Sequence, residues 1–334
     1  MNLVTGATGL LGSYIAEKLV ASQQPVRVFI RDTSDTTFID TLNVEKYVGD
    51  LTDPVSCREA CRDVDVVYHA AAQVGDWGPW SEFQKYTIDA TDNLARAAQE
   101  ASVRRFVHVS SISAYGNPNG KKLVIDESAP MGVNVHKWSY YTIAKVTAEK
   151  ALWKMHEQDN FPLSVIRPSW LYGPRDRTSI ARIHRMLTTG KIKILGTGDN
   201  QLNSVFAGNV ADACLLAAQK DIAVGQVYNC SNDGVITQKE YLDKFAAAFD
   251  CPPPHRKVPY WLAYSFAFDC ECFGRLFRLK NPPFITRYSV WLMGRTVFFP
   301  ADKAREQLGW KSRVSYDEGI KLTAKWYLDQ TQAS

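Results

Sequence analysis

The chain has 334 residues, 46% of them hydrophobic and 22% charged, which suits a folded globular protein with ample core. A net charge of +4 with no long basic run argues against nucleic acid as a partner, and no apolar run reaches the roughly 18 residues of a membrane span. Seven cysteines, an odd number without two matching pairs of ligand spacings, argue against a disulfide framework and a metal site and for a reducing compartment.

Met1–Val4 already reads as a strand, so no targeting segment is expected and the protein is placed in the cytoplasm. Further strand-like apolar runs follow at Pro25–Arg31, Val44–Gly49, Val64–His69, Arg105–Ser110 and Leu163–Arg167. Helical stretches fall between them, including Leu11–Val20 and Tyr140–Trp153. A helical stretch at Val210–Lys220 precedes a seventh strand at Gln226–Cys230. Strands alternating with helix-length connections imply a parallel sheet with right-handed crossovers, hence an α/β, doubly wound fold. The segment near 169–203 interrupts the sheet, and the helix-rich remainder from about 233 forms a smaller C-terminal lobe.

The first turn, Thr5-Gly6-Ala7-Thr8-Gly9-Leu10-Leu11-Gly12, lies between a strand and a helix, the context in which a glycine ladder binds a dinucleotide. Gly6 permits the tight turn, Gly9 lets backbone amides approach a pyrophosphate, and Gly12 lets the helix pack close. The helix N-terminus adds partial positive charge. Thr8, Leu10 and Leu11 complete the candidate loop. Residues 1–168 and 204–232 are thus expected to form a Rossmann-type dinucleotide domain, with 169–203 and 233–334 as the substrate lobe. Arg31 ends the second strand, where a guanidinium pairs with a 2′-phosphate, so NADP is expected in preference to NAD. Asp50, beside Leu51 at the end of the third strand, is placed to accept a bond from adenine, unless it is simply a solvated turn carboxylate.

Tyr141 and Lys145 are four residues apart on one helix face. A phenol normally titrates near 10, and a neighbouring ammonium together with an oxidised nicotinamide would lower it into a useful range. Ser111, just past the fifth strand, would hold the substrate oxygen. Tyr140 has Ala144 four residues on and is a decoy.

These motifs together resemble an extended short-chain dehydrogenase/reductase of the NAD-dependent epimerase/dehydratase superfamily. The resemblance spans nearly the whole chain and adds His69-Ala70-Ala71-Ala72, Val109-Ser110-Ser111, Arg167-Pro168-Ser169-Trp170-Leu171-Tyr172-Gly173-Pro174 and Phe206–Asp212. It implies that Ser111, Tyr141 and Lys145 are catalytic. It implies also that Ala70, Ala71, Ala72, Val109, Pro168, Ser169 and Leu171 line the cofactor with the loop residues. Thr87 departs from a frequent family asparagine.

Ala72–Trp80 and Phe299–Ile320 resemble the 3β-hydroxysteroid dehydrogenase-like branch, which includes sterol 4-carboxylate 3-dehydrogenases and 2-alkyl-3-oxoalkanoate reductases. On that basis Asp76, Trp77, Trp80, Ser113, Tyr115 and Trp170 are candidate substrate contacts. The aromatic stretch Val258–Leu279 is a pocket wall, a membrane-surface helix, or a lobe core or homodimer face. The function expected is an NADP(H)-dependent oxidoreductase interconverting a ketone and a secondary alcohol on a lipophilic small molecule of 3-oxo/3-hydroxy type, with or without a β-carboxylate. Alternatives are a dihydroflavonol-type reductase, a nucleotide-sugar epimerase or dehydratase, and a non-catalytic dinucleotide sensor.

Overall fold

The structure, a computed structural model, describes residues 1–120, 123–231 and 234–332. The domain boundary expected between 232 and 233 lies outside the described residues. Seven strands form one parallel sheet: β1 (Asn2–Thr5), β2 (Val26–Ile30), β3 (Glu45–Val48), β4 (Val66–His69), β5 (Arg105–Val109), β6 (Leu163–Pro168) and β7 (Gln226–Cys230). Their spatial order is β7-β6-β5-β4-β1-β2-β3.

Successive strand residues serve opposite faces, and both faces are covered. Val4, Val28, Val107 and Ile166 share one core with Ile15, Leu19 and Val210. Leu3, Phe29, Val67, Phe106 and Val165 share the other with Leu94, Leu152 and Met155. The edge strand β3 departs from the apolar pattern, since Glu45, Lys46 and Val48 are exposed. With a neighbour on one side alone, it needs no second buried face.

The chain winds outward from β1 through β2 to β3, then returns to place β4 on the other flank of β1. In register, Thr5 faces both Phe29 and His69, and His69 faces His108, so the carboxyl ends of the central strands share one edge. The reversal between β1 and β4 opens the crevice in which doubly wound sheets bind ligands.

Beyond the sheet, the helix Ser179–Thr188 joins Gln238–Ala248 and Tyr316–Gln332 around a third core that contains Tyr172, Tyr241 and Phe245. Ala301, Ala304, Leu308 and Trp310 belong instead to a core of the sheet, although they lie far along the chain. Cys57 and Cys61 pack as small apolar groups beneath the second sheet face. Among the described residues no helix is long and apolar enough to cross a membrane.

Candidate active site

The glycine turn is built by close approach. Gly6 has φ +66°, and a Cβ there would meet the Ala71 nitrogen at 2.7 Å. A Cβ on Gly12 would fall 2.2 Å from the Gly6 carbonyl oxygen. The Gly9 N–H closes the turn on that same oxygen at 2.9 Å. Leu10–Ala21 then begins with no side-chain cap and no acid in its first turn. Its first amides are therefore available to an anion. Leu11 and Gly12 are buried, so that any contact from them to a ligand is made by backbone.

The neighbouring loop is fastened to this turn from below. Thr5 Oγ1 accepts from the Ala71 N–H at 3.3 Å and lies 2.8 Å from His69 Nδ1. His69 Nε2 lies 2.9 Å from Thr91 Oγ1. Burial, helped by the Lys145 charge, pushes the imidazole down to about 3, so it is a neutral bridge across the crevice floor. The tethered backbone Ala70–Ala72 faces the glycine turn, and this cradle fits the pyrophosphate of a dinucleotide. Thr5 and His69 stand in the sequence motifs, but their bonds to each other and to Thr91 on the helix Ala90–Glu100 leave no local signal.

Arg31 is exposed just past β2. Asp50 Oδ1 accepts from the Thr52 N–H at 2.8 Å, closing its own turn, and Asn93 holds the Leu51 carbonyl at 3.1 Å. Pro168 ends β6, Ser169 bonds to the Ser231 carbonyl, and Leu171 packs against the first core.

Ser111, Tyr141 and Lys145 converge at the end of β5. Lys145 Nζ donates to the Val109 carbonyl at 2.9 Å, and Ser111 Oγ accepts from the Ser113 N–H at 3.1 Å. Burial raises the Tyr141 phenol, and the neighbouring Ser111 hydroxyl offsets this in part. Burial also brings Lys145 down to about 8, against the opposing pull of Glu149. Tyr140 points elsewhere, packing on Trp80 with ring centres 5.7 Å apart.

Glu149 continues the stripe of Tyr141 and Lys145. It is fully buried and bonds to Arg167, Ser110 (2.5 Å) and Trp153 (3.0 Å). The i+8 spacing from Tyr141 to a lone acid was the available signal, and it went unread.

A cavity opens beside Tyr141, lined among others by Asp76, Trp77, Trp138, Ser139, Arg275 and Tyr288. Of the candidate substrate contacts, Asp76 and Trp77 lie on this lining. Four other candidates lie off this cavity. Trp80 packs on Tyr140, and Ser113 is buried. Tyr115 is a core residue that bonds to Asn229 at 2.8 Å and stacks on Phe299. Trp170 packs on Tyr241 and bonds to Ser179 at 3.3 Å.

Of the readings open for the aromatic stretch, the pocket wall does not fit its large apolar side chains. The stretch forms the helix Tyr260–Leu276, but Trp261, Leu262, Phe266, Phe273 and Leu276 face outward, while Ala263, Ala267, Glu271 and Gly274 face inward. The Trp77 ring sits against Gly274, where a Cβ would lie 2.9 Å from it, and its Nε1 bonds to the Leu279 carbonyl at 2.9 Å. Small residues must therefore face in, and the cavity wall from this helix is Glu271 and Arg275.

A parallel sheet with a glycine turn at its reversal point is the arrangement of the dinucleotide-binding doubly wound folds. The NAD dependent epimerase/dehydratase family model matches residues 2–231, and the chain belongs to that family. Among similar proteins, a 2-alkyl-3-oxoalkanoate reductase of Shewanella oneidensis is 27% identical, over 95% of this chain and 84% of that protein. A decarboxylating sterol-4-alpha-carboxylate 3-dehydrogenase of Mus musculus is 26% identical, over 96% and 89%. The crystal structure of gox2253 superposes with a TM-score of 0.82 at 28% identity, covering 99% of this chain and 98% of the other. The protein is an NAD(P)-dependent enzyme of the dehydrogenase/reductase kind.

Proposed function

We propose that the enzyme interconverts a ketone and a secondary alcohol on a lipophilic 3-oxo/3-hydroxy substrate, with NADP(H) as cofactor and Ser111, Tyr141 and Lys145 as the proton-transfer group. The observation that carries this reading is the convergence of Tyr141 with Ser111, and of Lys145 with the Val109 carbonyl, beside the cavity. The dinucleotide, when bound, supplies or accepts the hydride. In reduction the Tyr141 phenol gives its proton to the substrate oxygen, and Ser111 holds that oxygen in place. The Lys145 ammonium anchors the cofactor ribose and favours the phenolate left behind. Arg31 holds the 2′-phosphate. The names of the relatives, an oxoalkanoate reductase and a sterol-carboxylate dehydrogenase, support a lipophilic substrate. The reading includes a cytoplasmic enzyme able to pair as a homodimer.

Tyr141→Phe keeps the ring and removes the proton. Ketone reduction with NADPH should fall by at least the roughly 10²–10⁴-fold typical of a general acid, with NADPH affinity little changed. Turnover close to wild type would remove Tyr141 from the mechanism.

A further inference from the structure

Two arginines line the cavity beside Tyr141, and their surroundings differ. Arg287 is matched: its Nε and Nη2 each lie 2.8 Å from the Glu271 carboxylate, which also accepts the Arg287 backbone N–H at 2.7 Å. Asp76, the other acid of the lining, is engaged by the Thr286 hydroxyl. Both carboxylates thus already have partners.

Arg275 is held differently. Its guanidinium lies 5.0 Å from the Trp77 ring centre, 4.9 Å from that of Trp138 and 5.0 Å from that of Tyr140. Nη2 donates to the Trp138 carbonyl at 3.1 Å, and Nε is buried without an acceptor. Among the described residues, no carboxylate lies within ion-pair distance of Arg275. The aromatic box fixes the plane of the half-buried guanidinium. A rigid cation with a free edge in a cavity whose own acids are engaged is complementary to an anion brought by the ligand. One planar fork matches one carboxylate. A diphosphate would call for a second cation, and Arg287 is already committed to Glu271.

We propose that Arg275 binds the carboxylate of the substrate, making a 3-oxo acid the preferred class over its ester or a plain ketone. This rests on the ketone-reductase reading of Tyr141. In a 3-oxo acid a single carbon separates the carboxylate from the ketone carbon, a spacing short enough for both groups to face the one cavity that Tyr141 and Arg275 line. Arg275 acts in binding and takes no part in the proton transfer.

The test compares kcat/KM for freshly prepared 3-oxodecanoic acid and its methyl ester, with NADPH. The wild type should favour the acid by about 10–100-fold, the value of a hydrogen-bonded charge pair. Arg275→Met should bring the acid-to-ester ratio to within a few-fold of one, whereas Arg275→Lys should keep part of the preference. An ester used as well as the acid by the wild type, or a ratio unchanged in Arg275→Met, overturns the subsite. The wild-type ratio decides the matter even if neither variant folds. Reduction of both compounds without preference sinks the subsite alone. A wild type that binds NADPH but reduces neither acid, ester nor any simple ketone sinks the reductase reading and the subsite with it.

Discussion

Lys145 and Glu149 give the site its pH dependence. The lysine ammonium is destabilised by burial and sits near 8, below its usual 10.5, with Glu149 pulling the other way. A depressed lysine is protonated below its folded value and loses its charge as pH rises through it. Activity that needs the ammonium should therefore fall above about pH 8, read as the alkaline limb of kcat/KM. In the same window, between about 8 and 10.5, the unfolded chain binds more protons, so stability rises with pH from this group. Glu149→Gln removes the opposing pull and should move the limb to lower pH. It also leaves buried Arg167 without its carboxylate, which costs about 3–5 kcal/mol in urea unfolding. A limb that stays in place in Glu149→Gln would separate this acid from the lysine. Under the proposed function, Arg31 is the residue that sets cofactor choice. Arg31→Asp should weaken NADPH strongly and NADH much less, because a charge-assisted pair becomes a repulsion. Equal use of the two cofactors by the wild type would contradict the role of Arg31.

The turn from β1 into Leu10–Ala21 is where element and ligand constrain each other. Glycine inside a helix ordinarily costs about 1 kcal/mol relative to alanine, so Gly12→Ala should stabilise an unconstrained helix. Here its Cβ would sit 2.2 Å from the Gly6 carbonyl oxygen. We expect the sign to reverse, with a loss of about 1–3 kcal/mol from overpacking and weakened dinucleotide binding in titrations. A stabilised variant with unchanged binding would refute the close-approach account. This turn was legible in the sequence because its contacts are local, and so were the strands inside the sheet, whose apolar runs need both faces covered, whereas the edge strand β3 is exposed. The helix Tyr260–Leu276 was not legible. Its aromatic content marks it as unusual, but the inward face is chosen by Trp77, some 200 residues earlier in the chain, which fits only over Gly274. The same limit applies to Tyr115 and Trp170, which lie off the cavity lining. Their family motifs set them near the sheet edge, but which way each ring turns was decided by Asn229, Phe299 and Tyr241.

Over the whole molecule, the helix Tyr140–Asp159 beside the sheet supplies Tyr141, while the C-terminal helices supply the facing wall through Glu271, Arg275 and Tyr288. Trp77 joins the halves, since its ring rests on Gly274 and its indole N–H holds Leu279. A lipophilic chain entering this seam is desolvated at roughly 0.8 kcal/mol per methylene, about fourfold in rate constant for each carbon buried. The most direct measurement is kcat/KM with NADPH across 3-oxo acids of increasing chain length, beside a small polar ketone and UDP-glucose. The account predicts a rise with length that flattens in Trp77→Ala. Faster turnover of the polar ketone or the sugar nucleotide than of every lipophilic ketone would contradict it.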